Sequence, residues 1–311
     1  MSPKISIIMA TYNGEQYLSE QIKSILEQSN KEWQLIIRDD NSEDNTNEVI
    51  KKYTQKYPEN IKLASDRDSH IGTSQNFLHL LNHADIDYVM FCDQDDVWLP
   101  DKIEITFNKM RVIEEKFGAA MPALIHTDLK VVDKNLNIVS DSFWKFQHLF
   151  PQRGKTLNRL LVQNVITGGT VMINKALKNK IKLLPEQIIM YDWWISLVTA
   201  AFGKIDYVPK ATVLYRQHDS NNIGAKKWSL SYIMNKARLN GSNFKSILQT
   251  QLQAKAFLDV FRDELTEKDI DLLNAYSTLS QQSFFIKRLN LIKYSFFKMG
   301  FLRNIGLFLF V

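Results

Sequence analysis

The chain has 311 residues, of which 45% are hydrophobic and 23% charged, with a formal net charge of +5. This composition is typical of a folded protein with enough chain to bury a sizeable core, and the single cysteine, Cys92, excludes a disulfide framework and a cysteine metal site. The N-terminal apolar run is too short for a signal peptide, and no stretch approaches the about 18 apolar residues of a membrane span, so we expect a cytoplasmic protein.

Strand and helix patterns alternate four times within the first 118 residues. Short apolar, β-branched runs predict strands at 4–10, 33–40, 60–65 and 87–93. Apolar residues at helical spacing predict a helix over 16–28, a second that Pro58 stops, a third that Thr73 caps and a fourth that ends at Gly118. This order predicts a parallel, doubly wound sheet.

Polar residues follow each of the four predicted strands. They are Thr11, Tyr12 and Asn13 after the first, Asp39 and Asp40 after the second, Asp66 after the third, and Asp93 and Asp95 after the fourth. Ligands of such sheets bind at the carboxyl ends of the strands. The convergence of these side chains therefore predicts a ligand site at that edge.

The second part of the chain is less regular. We expect a strand or hairpin over 122–133, a Gly-Gly turn within 163–175, a buried helix over 190–203 and two short strands over 204–218. From about residue 226 the pattern is helical, basic and aromatic. The predicted domains are 1–224, divided into halves 1–118 and 119–224, and a helical extension, 225–311, with the boundary near Gly224.

The densest acidic cluster is "DQDDVWLPDK", which begins at Asp93. Two carboxylates at i and i+2 after a strand can face one cavity and bind a hard divalent cation that shares its ligands with phosphates. Alternatively, they form a polar turn that caps the next helix. The apolar "VWLP" after them favours a turn held firmly in place, with Asp96 supporting the loop.

Three segments together resemble the bacterial family 2 glycosyltransferases, which have the GT-A fold. They are "SIIMATYNGEQYLSEQIKSILEQ", "LIIRDDNSEDNT" and "FCDQDDVWLPDK", and the resemblance covers residues 4 to about 220. With the later "TGGT", "YDWW" and "LYRQH", the chain is most similar to rhamnosyltransferases of bacterial surface polysaccharides. The resemblance implies a GT-A, Rossmann-like mixed sheet with a C-terminal helical extension.

The resemblance also implies roles for individual residues. Residues expected to bind the nucleotide sugar are Thr11, Tyr12, Asn13, Asp40 and Asp93. Asp95, with His218, is expected to bind a divalent cation, Mn²⁺ or Mg²⁺, and Asp192 is the expected catalytic base. The implied reaction is inverting transfer of rhamnose from dTDP-rhamnose to a saccharide or undecaprenyl-linked acceptor. The alternative is galactose, glucose or N-acetylhexosamine from a UDP donor.

Other positions keep two interpretations each. Gly168 and Gly169 form either a hairpin turn or part of the acceptor site, Asp128 either a solvated strand end or a sugar contact, and Arg216 a possible diphosphate contact. Trp193 is a candidate contact for the acceptor or the sugar and belongs to the apolar wall beside Asp192. Asp192 itself is either the base or the cap of the helix that follows. The segment "IGTSQNF" lacks the arginine that many family members carry there, so a contact from it to the donor is not expected.

Competing functions fit the sequence less well. A nicotinamide oxidoreductase needs a glycine-rich first turn, whereas "TYNGEQ" has only Gly14. The order of motifs also does not fit a phosphatase, and a nucleic-acid binder would leave the converging acids unexplained. A non-catalytic carbohydrate-binding module is the distant alternative.

The last forty residues contain five basic residues and no acidic one after Asp271. The segment 283–311 mixes these charges with aromatic and aliphatic side chains. One interpretation is a helical pair that packs on the core or forms a homodimer. The other is peripheral attachment through residues 226–311 to the anionic inner face of the cell membrane, which the resemblance favours.

Overall fold

The computed structural model describes residues 5–64, 70–84, 87–181, 185–218 and 240–311. Asp66 and the boundary predicted near Gly224 lie outside the described residues. The chain forms two compact units. The first unit comprises Met1–Phe143, Thr167–Leu184 and Gly203–Ala225, and the second comprises Trp144–Ile166, Pro185–Phe202 and Lys226–Val311.

The described residues of the first unit form a nine-stranded mixed sheet. The strands are β1 (Ile5–Thr11), β2 (Trp33–Asp39), β3 (Ile61–Leu63), β4 (Tyr88–Asp93), β5 (Val97–Trp98), β6 (Ala123–Val132), β7 (Ile138–Ser140), β8 (Met172–Asn174) and β9 (Lys204–Arg216). Their order is β3-β2-β1-β4-β8-β6-β9-β5, with β7 paired to β6. Strands β1 to β4 are mutually parallel, whereas β8 runs antiparallel to both β4 and β6.

The described helices, numbered in chain order, connect these strands and form the second unit. They are α1 (Glu15–Leu26), α2 (Thr46–Lys56), α3 (Thr73–His83), α4 (Lys102–Phe117), α5 (Phe143–Phe146), α6 (Leu157–Val162), α7 (Lys175–Lys180), α8 (Tyr191–Phe202), α9 (Asn240–Phe261), α10 (Glu267–Ser277), α11 (Phe284–Lys293) and α12 (Phe301–Phe310). The predicted alternation of strand and helix is therefore confirmed, and so is the helical C-terminal portion.

Burial explains why the first strands read as continuous apolar runs. Ile7 and Ile8, which point to opposite faces of β1, are both fully buried. A strand covered on both faces carries apolar residues at successive positions instead of alternate ones. From α1, Leu18, Ile22 and Ile25 are buried, as their helical spacing predicts.

Two local predictions are wrong. The sequence predicts two short strands over 204–218, but these residues contain one strand, β9. A bulge carries the strand past Pro209: Thr127 pairs with Val208 and Asp128 with Ala211, which leaves Pro209 out of the ladder. Thr73 does not cap α3, because it is the first helical residue and Gly72 occupies the cap position with a φ of 80°.

The second unit has an aromatic core of its own. Trp194 of α8 is fully buried, with its ring centroid 5.3 Å from Phe257 and 6.2 Å from Phe261 of α9. Towards the C-terminus, Tyr276 packs at 4.8 Å from Phe296. Over the part of the chain that the structure describes, no helix combines the length and apolarity needed to span a bilayer.

Candidate active site at the carboxyl edge of the sheet

The carboxyl ends of three neighbouring strands meet at one edge of the first unit. In the register of the sheet, Thr11 of β1 lies beside Asp39 of β2, and Ala10 lies beside Asp93 of β4. The backbone N–H of Asp40 donates to the Thr11 carbonyl at 2.8 Å, which joins the two chain ends beyond the ladder. The sequence-predicted residues on these strands are therefore brought together.

The turn after β1 is fixed by hydrogen bonds from the turn after β2. Asp39 accepts from the Thr11 hydroxyl at 2.9 Å and from the Ser42 backbone N–H at 2.8 Å. Asn13, which has a φ of 47°, donates its backbone N–H to Ser42 Oγ at 2.8 Å, and its side-chain oxygen accepts from Glu43 N–H at 2.9 Å. These hydrogen bonds hold the loops after β1 and β2 together as one unit, which we call the floor of the site.

Tyr12 projects from this floor. Its backbone N–H donates to Gln94 Oε1 and its carbonyl accepts from Gln94 Nε2, both at 2.9 Å. A Cβ on Gly14 would lie 2.3 Å from the same Gln94 oxygen, so a side chain at this position would displace the Gln94 amide. The Tyr12 ring is 43% exposed and lies 4.6 Å from the half-exposed His70 ring. Together these rings offer an aromatic surface at the edge.

Asp40 is buried and anchors the segment 70–72. One carboxylate oxygen accepts from Arg38 Nη1 at 2.8 Å and Ile71 N–H at 2.9 Å, and the other from Gly72 N–H at 2.8 Å. His70 Nδ1 lies 3.0 Å from the second oxygen. Burial alone would raise the pKa of Asp40, but these hydrogen bonds hold the pKa below its ordinary value.

The three acids at the end of β4 and in the turn after it have different surroundings. Asp93 and Asp95 are partly exposed, whereas Asp96 is buried and accepts the Arg216 backbone N–H at 3.0 Å. Burial and the charges of its two acidic neighbours raise the pKa of Asp96 well above its ordinary value. Asp96 therefore supports the loop, as its sequence context predicts.

Asp95, in the turn after β4, pairs with His218, which follows β9. His218 Nε2 lies 2.9 Å from Asp95 Oδ2, and both side chains are largely buried. The histidine ring also packs 4.8 Å from the ring of Tyr17 in α1. The predicted carboxylate and imidazole are thus neighbours although 123 positions separate them in the sequence.

Arg216 hydrogen-bonds to the turn that carries Asp95. Its Nε donates to the Asp95 carbonyl and its Nη1 to the Lys134 carbonyl, both at 2.8 Å, while Nη2 pairs with Glu20. The guanidinium also lies 4.5 Å from the Tyr17 ring. Because the side chain is buried and committed to these partners, the structure places Arg216 as a support of the Asp95 turn.

Gly168 and Gly169 do not form a hairpin turn. They belong to a 3₁₀ turn, Gly168–Thr170, that precedes β8 and is buried. A Cβ on Gly169 would lie 2.8 Å from Asp93 Oδ2 and 3.5 Å from Asp96 Oδ2. The absence of a side chain therefore lets this turn pack directly against the acidic loop.

A buried lysine lies beneath the acids. Lys102, in the first turn of α4, has its ammonium group 4.6 Å from the ring centroid of Trp98 and no hydrogen-bond partner among the described residues. Burial lowers the pKa of Lys102 to about 7, although the charges of Cys92, Asp96 and Asp93 oppose the shift.

Asp128 is not a solvated strand end. It is buried in β6, where one oxygen accepts from Leu129 N–H at 2.8 Å and the other from Ser142 Oγ at 2.5 Å. Its carboxylate thus ties β6 to the loop after β7.

Asp192 and Trp193 belong to the second unit. Asp192 lies in the first turn of α8, inside the helix and not at its cap, and is half-buried. Its Oδ1 is 3.4 Å from Asn164 Nδ2, and the Trp193 indole N–H donates to the Leu160 carbonyl at 2.6 Å. A carboxylate in the first turn of a helix interacts favourably with the helix dipole.

The donor set at Asp95 and His218 fits a divalent cation only in part. A carboxylate and an imidazole are both ligands that Mn²⁺ accepts. Among the described residues, no group of three or more histidine, cysteine or acidic side chains is arranged to hold a metal. A cation at this pair would therefore need phosphate or water oxygens to complete its coordination, as Mg²⁺-type sites in nucleotide enzymes do.

The sequence patterns did not single out Gln94, His70 or Lys102. Gln94 stands between two acids in "DQDD", and nothing in that pattern indicates that its side chain binds the backbone of Tyr12. Lys102 is a cation at a position of α4 that faces the core, next to Ile103, and this break in the apolar face was the available signal. His70 follows residues outside the described ones and carries no pattern.

Comparison with known proteins identifies consistent relatives. The family model for glycosyl transferase family 2 matches residues 6–180. The dTDP-rhamnosyl transferase RfbG of Shigella flexneri is 30% identical over 226 residues, which cover 70% of this chain and 74% of RfbG.

Solved structures share the fold at low sequence identity. TarS 1–349 of S. aureus in complex with UDP-GlcNAc is 19% identical with a TM-score of 0.57, over 93% of this chain and 75% of that one. This chain spans 44% of a longer TarS chain. The mannosyltransferase PcManGT from Pyrobaculum calidifontis, in complex with GDP-Man and Mn²⁺, is 13% identical with a TM-score of 0.57, over 99% of this chain and 79% of that one.

Proposed function

This chain belongs to glycosyl transferase family 2, with a GT-A fold, and we propose that it transfers one sugar from a nucleotide donor to a saccharide acceptor with inversion. The observation that carries the proposal is the convergence of Thr11, Asp39 and Asp93 at one sheet edge. Asp95 lies in the turn after β4, and His218, which follows β9, pairs with it there. Sheets of this kind bind ligands at such an edge.

We assign the nucleoside to the floor formed by the first two loops. The exposed ring of Tyr12, with His70 beside it, supplies a face for a nucleobase, since aromatic stacking onto a base is worth about 1–3 kcal/mol. Thr11 and Asn13 hold that floor through the loop after β2. Asp40 acts through the segment 70–72, because its carboxylate oxygens already accept hydrogen bonds from that segment.

We assign the diphosphate to the edge formed by Asp93, Asp95 and His218. Two carboxylates would repel an anionic donor, so this part of the site requires a cation. A divalent cation held by Asp95 and His218 would neutralise the charge that develops on the leaving diphosphate. Gly169 leaves room for the Asp93 carboxylate, and Arg216 keeps the Asp95 turn in position.

Asp192 is the proposed catalytic base. The acceptor hydroxyl oxygen bonds to the anomeric carbon, the bond from that carbon to the diphosphate oxygen breaks, and the diphosphate leaves with the electron pair. The hydroxyl proton passes to the Asp192 carboxylate, which must lie within hydrogen-bond reach of it. With one base and no enzyme nucleophile, a single displacement inverts the sugar carbon.

Rhamnose from dTDP-rhamnose is the proposed donor sugar. The support is the similarity to RfbG, a dTDP-rhamnosyl transferase, at 30% identity over more than two thirds of both chains. The proposed setting is polysaccharide synthesis, with a saccharide or lipid-linked saccharide as acceptor at the anionic inner face of the membrane.

A donor-hydrolysis screen tests the proposal. Release of nucleoside diphosphate is measured from dTDP-rhamnose and from UDP-hexoses, with and without Mn²⁺, for the wild type, Asp95→Ala and the control Asp259→Ala. Asp259 is exposed on α9 and pairs only with Lys255 at i−4 among the described residues. We expect Mn²⁺-dependent release from dTDP-rhamnose, lost in Asp95→Ala and kept in the control.

Other outcomes change the proposal in different ways. Faster release from a UDP-hexose would replace the donor while keeping the site. Binding of saccharides without release from any donor would instead favour a non-catalytic carbohydrate-binding module.

A further inference from the structure

The helices α11 and α12 carry most of the exposed apolar surface at the C-terminus. Nine large apolar side chains project from them into solvent: Phe284, Phe285, Ile286, Leu289, Ile292, Phe301, Leu302, Ile305 and Leu309. Two of these, Phe285 and Phe301, are 78% and 80% exposed. Scattered exposed leucines are ordinary in soluble proteins, but nine large exposed apolar side chains on two consecutive helices indicate an interaction surface.

Both helices are apolar on their inner and outer sides. Leu291 of α11 and Leu307 of α12 are buried within the second unit. Outward, Phe285, Leu289 and Ile292 follow one another at four- and three-residue spacing, which places them on one face of α11. A helix that is covered on one side and apolar on the other needs a second apolar surface to cover it.

Hydrogen bonds hold the two helices together as one structural element. Arg288 Nη2 of α11 donates to the Phe308 carbonyl of α12 at 2.7 Å. Arg303 of α12 donates to the Gln147 carbonyl at 2.6 Å and to the Met299 carbonyl at 3.0 Å. These two arginines therefore stabilise the surface itself, and the exposed lysine of the pair, Lys293, is available to bind a partner.

Charge decides which partner fits. The segment after Asp271 has five cations and no acidic side chain. A second copy docked through this face would bring two positively charged segments together, with no acid from either segment to pair with them. An anionic lipid surface supplies both phosphates for the cations and an apolar layer for the phenylalanines.

We propose that the outward faces of α11 and α12 insert into the headgroup region of an anionic bilayer. Phe285, Leu289 and Phe301 enter the acyl boundary, and Lys293 lies at the level of the lipid phosphates. This inference rests on the proposed function only in treating the membrane as the place where the acceptor lies. The binding of α11 and α12 to lipid does not depend on the acceptor. Lipid binding is therefore measured without donor or acceptor.

The test is co-sedimentation of the full chain with vesicles of phosphatidylcholine, with and without phosphatidylglycerol. The variant is Phe285→Glu/Phe301→Glu. The matched control is Ile138→Glu/Val139→Glu, which places the same charges at two apolar side chains of β7 that are 57% and 56% exposed. Circular dichroism checks that each variant keeps the helical content of the wild type.

We expect wild type and control to sediment with the phosphatidylglycerol vesicles and not with phosphatidylcholine alone. The Phe285→Glu/Phe301→Glu variant should bind at least about tenfold more weakly, because each glutamate replaces an inserted ring with a charge that anionic lipid repels. A folded variant that binds as the wild type does would overturn the proposal. So would a wild-type dimer in analytical ultracentrifugation that this variant converts to a monomer.

The donor-hydrolysis assay in solution separates this inference from the proposed function. A wild-type chain that binds vesicles but hydrolyses no sugar nucleotide supports the membrane surface and counts against the proposed function. A variant that loses vesicle binding and keeps donor hydrolysis supports the membrane surface and leaves the site intact.

Discussion

Replacing Gly169 with alanine should disturb the acidic loop while leaving the fold intact. The new Cβ would lie 2.8 Å from Asp93 Oδ2, well inside the roughly 3.5 Å of an ordinary contact, so the carboxylate must move by more than half an ångström. Overpacking of this kind destabilises a protein by about 1–3 kcal/mol. A shift approaching 1 Å in a positioning group lowers turnover by about 100-fold, so we expect a loss of kcat/KM of about 10- to 100-fold.

The assay compares kcat/KM for donor hydrolysis with the thermal unfolding midpoint, for Gly169→Ala and for the control Gly306→Ala. Gly306 lies within α12, and a Cβ there would meet no atom within 4 Å. Alanine should stabilise that helix by up to about 1 kcal/mol and leave hydrolysis unchanged. Wild-type kcat/KM in a folded Gly169→Ala would refute the reasoning, because it would show that the position of the Asp93 carboxylate does not matter.

Three further predictions concern Lys102, His218 and Asp192. Lys102 has a pKa of about 7 in the folded chain and 10.5 ordinarily, so between these pH values the folded chain binds fewer protons than the unfolded chain. The free energy of unfolding should therefore rise with pH in this range. Lys102→Met should flatten this rise and stabilise the protein at neutral pH by at most about 5 kcal/mol, which urea denaturation across pH measures. His218→Ala should raise the Mn²⁺ concentration for half-maximal hydrolysis about 10- to 100-fold, and an unchanged Mn²⁺ titration would remove His218 from the site. Asp192→Asn should lower transfer to the acceptor at least about 100-fold with donor affinity unchanged in calorimetry, and near-full transfer would exclude Asp192 as the base.

Much of the first half of the fold could be predicted because its signals are local. Continuous apolar runs such as β1 identify strands buried on both faces, and leucine and isoleucine at helical spacing identify the helices between them. The carboxyl ends of parallel strands share an edge, so polar residues placed directly after each strand predict where a site lies. The supporting role of Asp96 also followed from the apolar residues after it.

What the sequence left open depends on contacts between distant positions. The path of β9 through Pro209 is set by a bulge against β6, whereas Pro209 alone suggests a break. Arg216 donates to the Asp95 carbonyl, 121 positions away, and pairs with Glu20, 196 positions away, so a pattern of neighbours cannot distinguish this role from a phosphate contact. Asp128 reads as a strand-end acid until the loop after β7 folds over it.

The central claim is that the edge formed by Asp93, Asp95 and His218 binds the diphosphate of a nucleotide sugar with a divalent cation. The most direct measurement is calorimetric binding of dTDP to the wild type and to Asp95→Ala, with and without Mn²⁺. The account predicts that Mn²⁺ tightens dTDP binding to the wild type and has no effect on Asp95→Ala. Equal enhancement by Mn²⁺ in both proteins would contradict it.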